Sequence, residues 1–436
     1  MCSSAGSLPE LPEHLARDPG LAALVKAFRM FLEFSEDSAD VLHLVESYTG
    51  LVAEATRVMK KRCTGSYPIA QGGFNTVFLL TFEDGTDALA RLRGGPSAES
   101  AAFSSDVLAH QFLSEVATIA FVRTHTSIPV PELCHSDSDA NNALGTPYML
   151  MKRISGESLG TSWASMSREQ REGVVSEVAH IEAQLLRAPL PMIGSIIADN
   201  GTVGPLAPSS TDPDSLRDPH RGPFASSKRL VEAHLRCELS LISNRNQWTL
   251  RRTEWRHLNG GVDNMPVAYA IRWFSLLLAA IHAVPSEELD DPAHFTLYHD
   301  DLTLNNILVS PSRTVVGLVD WQGSRVRPLW DTTRHTHFLQ DENLIDDRQE
   351  WDALQKIQRD VIFKETGLHP GSSRLRLAYL LHIAAYSHSI RSSRAHLDHI
   401  FLQWFANVVS DGNEERLEPF LPLKLFIEAH RPSARV

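Results

Sequence analysis

The stretch "LYHDDLTLNNILV", Leu297–Val309, crowds one His, two Asp and two Asn between apolar ends. Apolar β segments on both sides ("FTLYH" and "NILVS") read as strands, so the polar groups sit on the loop that joins them. Asp301 and Asn306 lie five residues apart across that loop, just before the strand Ile307–Val309. A second strand, Val315–Val319, delivers Asp320, and the intervening "SPSRT" is a hairpin turn. Antiparallel pairing of the two strands brings Asp320 back beside Asn306. Two oxygen-bearing groups side by side suit Mg²⁺, a hard cation that takes few protein ligands and keeps phosphates and waters for the rest. Asp301 is then free to face a substrate hydroxyl. Phosphoryl transfer needs those parts: a metal to neutralise phosphate charge and a carboxylate to orient the attacking oxygen.

The rest of the chain is compatible with this chemistry. Its 436 residues exceed one typical domain, which leads us to expect two lobes or domains. With 43% hydrophobic and 22% charged residues the composition is that of an ordinary globular protein. A formal net charge of −12 argues against a nucleic-acid partner, which calls for basic stripes. The same charge suits a cationic small substrate or simple solubility. Cys2, Cys63, Cys134 and Cys237 are scattered without a CxxC pair, which is neither a disulfide framework nor a zinc site. The first residues lack an apolar signal region and the Arg-rich character of a transit peptide, and no apolar run is long enough for a membrane span. A cytoplasmic protein without membrane association is the expectation.

Periodicity organises the chain. "LAALVKAFRMFLEF" and "VLHLVESYTGLVAEATRVMKK" carry apolar residues at helical spacing. "YPIAQGGFNTVFLLTFEDGTDALARLRGG" reads as three strands, the first ending at Gly72-Gly73, with Glu83–Gly85 turning between the second and third. A helix follows over 104–125, ended by Pro129 and Pro131, and "GTPYMLMKRISG" is a buried strand running into a turn. Beyond Gly156 the pattern is mainly helical, over Arg168–Arg187, Lys228–Ser243, Val267–Ala283, Glu350–Glu365 and Leu375–Ser389. Asn200–Pro223 is an irregular loop.

His299-x-Asp301-(x4)-Asn306 followed by Asp320-Trp321 resembles the catalytic and metal-binding loops of the aminoglycoside phosphotransferase and choline kinase family. "QGGFNTVFLLTFEDG" is similar to that family's nucleotide-covering hairpin, "SEVATIAFVRTHTSIPVPEL" to its αC-type helix and exit, "YMLMKRISGESL" to its hinge strand, and "RPLWD" to the segment after the metal Asp. The resemblance runs from about Tyr67 to Asp331. It implies an α+β, two-lobed protein-kinase-like fold, with a small β-rich N-lobe and a larger, mainly helical C-lobe. The expected division is an N-terminal helical extension at 1–60, an N-lobe at 61–152 and a C-lobe at 153–436.

The family roles carry over as follows. Asp301 is the catalytic base or orienting carboxylate, Asn306 and Asp320 hold Mg²⁺, and Asp331 is a buried carboxylate tying the catalytic loop to a following helix. His299 is expected to brace the loop through backbone hydrogen bonds, with proton handling as the alternative. Asp300 and Asn305 are expected to be solvated loop residues without a role. Where the family places a Lys on the third strand to grip the nucleotide phosphates, this chain has Arg91, an unconditional cation with a planar fork. Glu115 matches the partner of that Lys. Gly72, Gly73 and Asn75 form a shorter turn than GxGxxG, yet still let backbone amides approach phosphates. Met149, Met151 and Lys152 line the adenine pocket with backbone groups, or form only a buried strand.

Protein kinases have Arg between the His and Asp and an Asp-Phe-Gly; this chain has Asp300 and Asp320-Trp321-Gln322, with few residues before "RPLWD". A small-molecule acceptor is therefore expected rather than a protein. The acidic and imidazole groups of "HTHFLQDENLIDD" suit a cationic acceptor or an ordinary wet surface. The expected activity is that of a kinase using ATP and Mg²⁺ on an alcohol group. The alternative is a non-catalytic nucleotide-binding or scaffolding pseudokinase of the same fold.

Overall fold

The computed structural model describes residues 50–71, 75–93, 105–208, 220–243, 267–285, 295–332, 337–340, 347–368, 394–410 and 414–430. Helix α1 (50–59) leads into strands β1 (Cys63–Gln71), β2 (Asn75–Phe82) and β3 (Asp87–Arg93), which pair antiparallel. The turn between β2 and β3 works because Gly85 adopts φ 79°, a conformation a Cβ would resist. Helix α2 (Ser105–His125) follows, then β4 (Leu133–Asp137) and β5 (Tyr148–Met151) complete a five-stranded sheet of order β1-β2-β3-β5-β4.

Alternation along β3 decides what each face of this sheet does. Ala88, Ala90 and Leu92 face one way and join Phe78, Leu80, Phe82, Tyr148 and Leu150 in a core closed by Leu51 and Ala55 of α1. Leu89, Arg91 and Arg93 face α2. Residues 50–59 are thus built into the small lobe's own core, so that core begins before the boundary expected after residue 60.

The connection after β5 forms the two-residue strand β6 (Glu157–Ser158), which pairs with the later strand Ile307–Val309. The larger lobe follows. Helix α3 (Arg168–Leu186) is started by a capping box between Ser167 and Gln170. The short strands β7 (Ser195–Ile196) and β8 (Val203–Gly204) pair with each other. Helices α4 (Ser227–Ser243) and α5 (Val267–Ala283) precede β9 (Phe295–Tyr298), β10 (Ile307–Val309), β11 (Val315–Leu318) and β12 (Arg325–Pro328). Helix α6 (Arg348–Thr366) is capped by the Asp347 carboxylate, ends at Gly367 and packs along α3, with Arg171 bridging to Glu350 at 3.0 Å. Helices α7 (Arg394–Ser410) and α8 (Leu421–Ala429) close a second core with α4 and α5 around Trp273, Phe274, Phe401, Trp404 and Phe420.

This is the two-lobed protein-kinase-like α+β fold, with a small β-rich lobe and a larger, mainly helical one. The periodic helices at 168–187, 228–243, 267–283 and 350–365 form as expected; Leu375–Ser389 lies outside the described residues. Strands β4 and β12 were not anticipated, and β8 interrupts the stretch expected to be irregular. Among the described residues, no helix is long and apolar enough to cross a membrane.

One buried group anchors α1 to the sheet. The Glu54 carboxylate, 6% exposed, accepts hydrogen bonds from the Tyr148 hydroxyl and from Arg57 Nε at 2.8 Å. The Arg57 hydrogen bond holds its pKa down at about 2, against the usual 4.5. The native state therefore binds this proton less tightly than the unfolded chain. The stabilisation is present above about pH 4.5 and is lost as pH falls toward 2. Glu54→Gln is expected to remove about 1–3 kcal/mol at neutral pH and to flatten that acid limb, as read by urea unfolding across pH.

Candidate active site

The strand order of the hairpin sets the site. β10 and β11 pair antiparallel, Ile307 opposite Leu318, and the Val319 amide donates to Asn306 O at 3.0 Å. That last rung places Asp320 immediately beyond Asn306, as the spacing implied. Asp320 sits at φ 61°, a left-handed conformation that Asp tolerates better than most residues and that functional loops often store. Trp321, fully buried, anchors the loop behind it, its Nε1 donating to Leu318 O at 3.3 Å.

Within the loop between β9 and β10, His299, Asp301 and Asn306 are tied together by hydrogen bonds. The Asn306 Nδ2 donates to Asp301 O at 2.7 Å and to Asp301 Oδ2 at 2.9 Å. His299, 3% exposed, packs at a tilt of 59° against Trp321 with ring centroids 4.6 Å apart. Its Nε2 donates to Val319 O at 3.1 Å, and its Nδ1 accepts the Asp301 amide at 3.3 Å. Both ring nitrogens are thereby committed to backbone groups. Burial lowers the His299 pKa, so the ring is neutral, and the bond to the Val319 carbonyl only partly offsets that.

Across the cleft, period-two spacing on β3 and four-residue spacing on α2 align two pairs. Arg91 meets Glu115, and Arg93 meets Gln111. Arg91 also donates through Nη2 to Asp320 Oδ1 at 2.6 Å and to Gln322 Oε1 at 3.2 Å. Its side chain is 10% exposed, Glu115's 1% and Asp320's 39%. Burial works against the Arg91 charge, but Glu115 and Asp320 outweigh it and raise its pKa. Burial pushes the Glu115 carboxyl up, with Arg91 and Arg93 pulling against that push. Arg91 keeps its charge, because a guanidinium does not give up its proton at working pH. Contacts therefore join Arg91, Glu115 and, through Gln322, Asn75 to Asp320, and the hairpin sets Asp320 next to the Asn306–Asp301 pair.

Other expected residues need separate treatment. Gly72 and Gly73 lie outside the described residues, as does the Asp331 side chain. Met149 and Met151 are buried in the core, and β5 hydrogen-bonds to β3 on one side and β4 on the other. The Lys152 amide donates to Glu132 O at 2.9 Å while its exposed ammonium reaches Glu132 Oε1 at 2.8 Å. The paired amides and carbonyls of β5 serve the sheet. Asn305 is exposed as expected. Asp300 is a correction. It accepts from Arg327 and, at 3.3 Å, from Arg325, both on β12. Arg327 in turn lies 4.7 Å over the Tyr298 ring. Gln322 was likewise missed, since its partners are more than 200 residues away in sequence.

The fold and this cleft define a kinase-like phosphotransferase architecture, and comparison with known proteins agrees. The sequence model of the phosphotransferase enzyme family (APH) matches residues 67–351, and the chain belongs to that family. A subtelomeric hrmA-associated cluster protein of Aspergillus fumigatus is 25% identical over 311 residues, covering 61% of this chain and 58% of that protein. An "Altered inheritance of mitochondria protein 9, mitochondrial" of Candida tropicalis is 26% identical over 144 residues, 32% of this chain and 22% of the relative. The chain thus spans less than two thirds of the length of these curated relatives. Among solved structures, an apo thermostable mutant of aminoglycoside phosphotransferase APH(4)-Ia aligns with 88% of this chain and 97% of its own, at 14% identity and TM-score 0.42.

Behind the catalytic loop lies a cavity of about 20 Å³, lined by Glu182, Leu185, Leu297, His299 and Thr332 among others. It is large enough for one water molecule. Glu182 receives a hydrogen bond from Gln358 Nε2 at 2.7 Å, and burial lifts its pKa to about 8 from the usual 4.5. The native state holds this proton more tightly than the unfolded chain. The contribution is full below about pH 4.5 and is lost as pH rises toward 8. Glu182→Gln is expected to abolish that downward slope, leaving a protein more stable than wild type at pH 8 by thermal unfolding.

Proposed function

We propose that the protein is a Mg²⁺-dependent ATP phosphotransferase acting on a hydroxyl of a small molecule. The observation that carries this reading is the convergence of Asp301, Asn306 and Asp320 opposite the Arg91–Glu115 pair in one cleft. The donor set fits the metal. Asn306 and Asp320 offer hard oxygens, and Asp320 keeps part of its carboxylate surface exposed. Among the described residues no group of three or more His, Cys, Asp or Glu forms a metal cage. A two-ligand site of this kind suits an ion that retains phosphate and water ligands. Bound there, Mg²⁺ would neutralise charge on the phosphate oxygens.

The chain's own residues supply the rest. Asp301, fixed by the Asn306 amide, accepts or orients the proton of the attacking hydroxyl. His299 holds the loop rather than exchanging protons, since both its nitrogens serve the backbone. Arg91 presents a permanent positive charge to the nucleotide phosphates from β3. Residues 61–152 and 153–436 are proposed as the two lobes, with residues 50–59 of the preceding helical segment packing into the core of the first. The net charge of −12 is compatible with a cationic acceptor and equally with simple solubility, and the scattered cysteines suit a cytoplasmic location. The second reading, a nucleotide-binding scaffold without turnover, is motivated by Arg91 already being engaged by Asp320.

ADP release from Mg·ATP over a panel of hydroxylated small molecules, cationic and neutral, separates the two. Turnover with one acceptor is expected, and Asp301→Asn should lower kcat by about 10²–10⁴-fold while leaving Mg·ATP affinity nearly unchanged. Equal turnover by wild type and Asp301→Asn would refute the role given to Asp301. Nucleotide binding without transfer to any acceptor would favour the scaffold.

A further inference from the structure

We infer that Gln322 is a positioning residue that closes the cleft, by joining the strand that leaves the nucleotide-covering hairpin to the loop that carries Asp320. This rests on the phosphotransferase reading above. Gln322 Oε1 accepts from Asn75 Nδ2 at 2.9 Å and from Arg91 Nη2 at 3.2 Å. Asn75 opens β2 and pairs across to Arg93; Arg91 lies two residues earlier on β3. Gln322 stands two residues past Asp320, on the other lobe.

The chemistry fixes the orientation of this contact. A guanidinium has only donors, so the atom of Gln322 that meets Arg91 must be its oxygen. The same oxygen faces Asn75, which must therefore present its amide nitrogen. One carboxamide oxygen thus gathers donors from two neighbouring strands of the small lobe. Because Arg91 Nη2 also donates to Asp320 Oδ1 at 2.6 Å, Gln322 and Asp320 share one donor and hold it in one orientation.

The consequence is a preformed cleft. Asn75 lies on β2 of the small lobe and Gln322 beyond β11 of the large one, so the bond joins the two lobes where they meet. A nucleotide entering a site already held in register loses less conformational freedom than one that must order both lobes. Gln322 therefore acts on nucleotide affinity through Asn75 and Arg91.

The test measures Mg·ATP affinity of the full chain by titration calorimetry, with the ATP dependence of turnover alongside. Gln322→Met keeps the length of the side chain and removes the acceptor; Gln322→Glu keeps an acceptor. Gln322→Met is expected to raise Kd and the KM for ATP by about 5–20-fold, the scale of one or two hydrogen bonds, with kcat little changed. Gln322→Glu should stay within about threefold of wild type, a rescue that a merely structural position would not show. Asn75→Ala should weaken binding similarly, and Asn75→Ala/Gln322→Met no more than the worse single variant, because both remove one contact. If Gln322→Met does not fold, Asn75→Ala alone carries the comparison. Wild-type affinity in Gln322→Met or, where that variant does not fold, in Asn75→Ala, or losses that add in the double variant, would overturn the clamp and leave the phosphotransferase reading standing. A wild type that binds no Mg·ATP would overturn both.

Discussion

A buried guanidinium sets the terms for the whole cleft. Arg91 is almost inaccessible, and a cation in that position is tolerated only when its charge is matched and its donors are used. Glu115 and Asp320 do both. They come from α2 and from the loop after β11, so satisfying one side chain requires sheet, helix and that loop to meet at one point. Arg serves this purpose in a way Lys does not. Its planar fork aims several donors in different directions, whereas an ammonium is a compact point charge. The departure from the family's Lys therefore comes with a three-way bridge.

The catalytic loop is held by a complementary device, in which side chains replace missing backbone partners. His299 spans from the Asp301 amide to the Val319 carbonyl, and Asn306 spans from the Asp301 backbone to its carboxylate. Between them these two residues connect the entry to the loop with the exit of the second strand. Such cross-bracing lets Asp320 occupy a left-handed conformation, whose cost is borne by the surrounding contacts. Rigid placement of oxygens is what electrostatic stabilisation of a transferring phosphoryl group demands.

Much of this was legible in the sequence wherever the signal is local. Helices α3 to α6 announce themselves by apolar spacing, and the β10–β11 hairpin by two apolar runs about a short turn. The juxtaposition of Asn306 and Asp320 follows from that hairpin alone. Strand β4, "LCHSD", was hidden because an edge strand with mixed polar faces lacks alternation. Strand β12, "RVRP", was hidden by two arginines and a proline in four residues. The contacts of Gln322 and of Asp300 depend on which distant strand lies opposite, and no spacing rule carries that information. The packing of residues 50–59 into the small lobe's core was not legible for the same reason. Their amphipathic pattern shows that one face is buried, but not against what.

Asp300 shows how one changed residue type alters the logic of the loop. In protein kinases the residue between the His and the Asp is an Arg, which reads a phosphate added to an activation segment. Here the position is anionic and is paired with Arg327 and Arg325 on β12, only a few residues beyond Asp320. The polarity is reversed, and the partner charges are arginines supplied by the chain's own strand rather than by a modification. Arginine keeps its charge at any working pH, so the tie between the catalytic loop and the segment after Asp320 is permanent. Further contact between Arg327 and the Tyr298 ring draws β9 into the same arrangement. A loop organised in this way is assembled as soon as the chain folds.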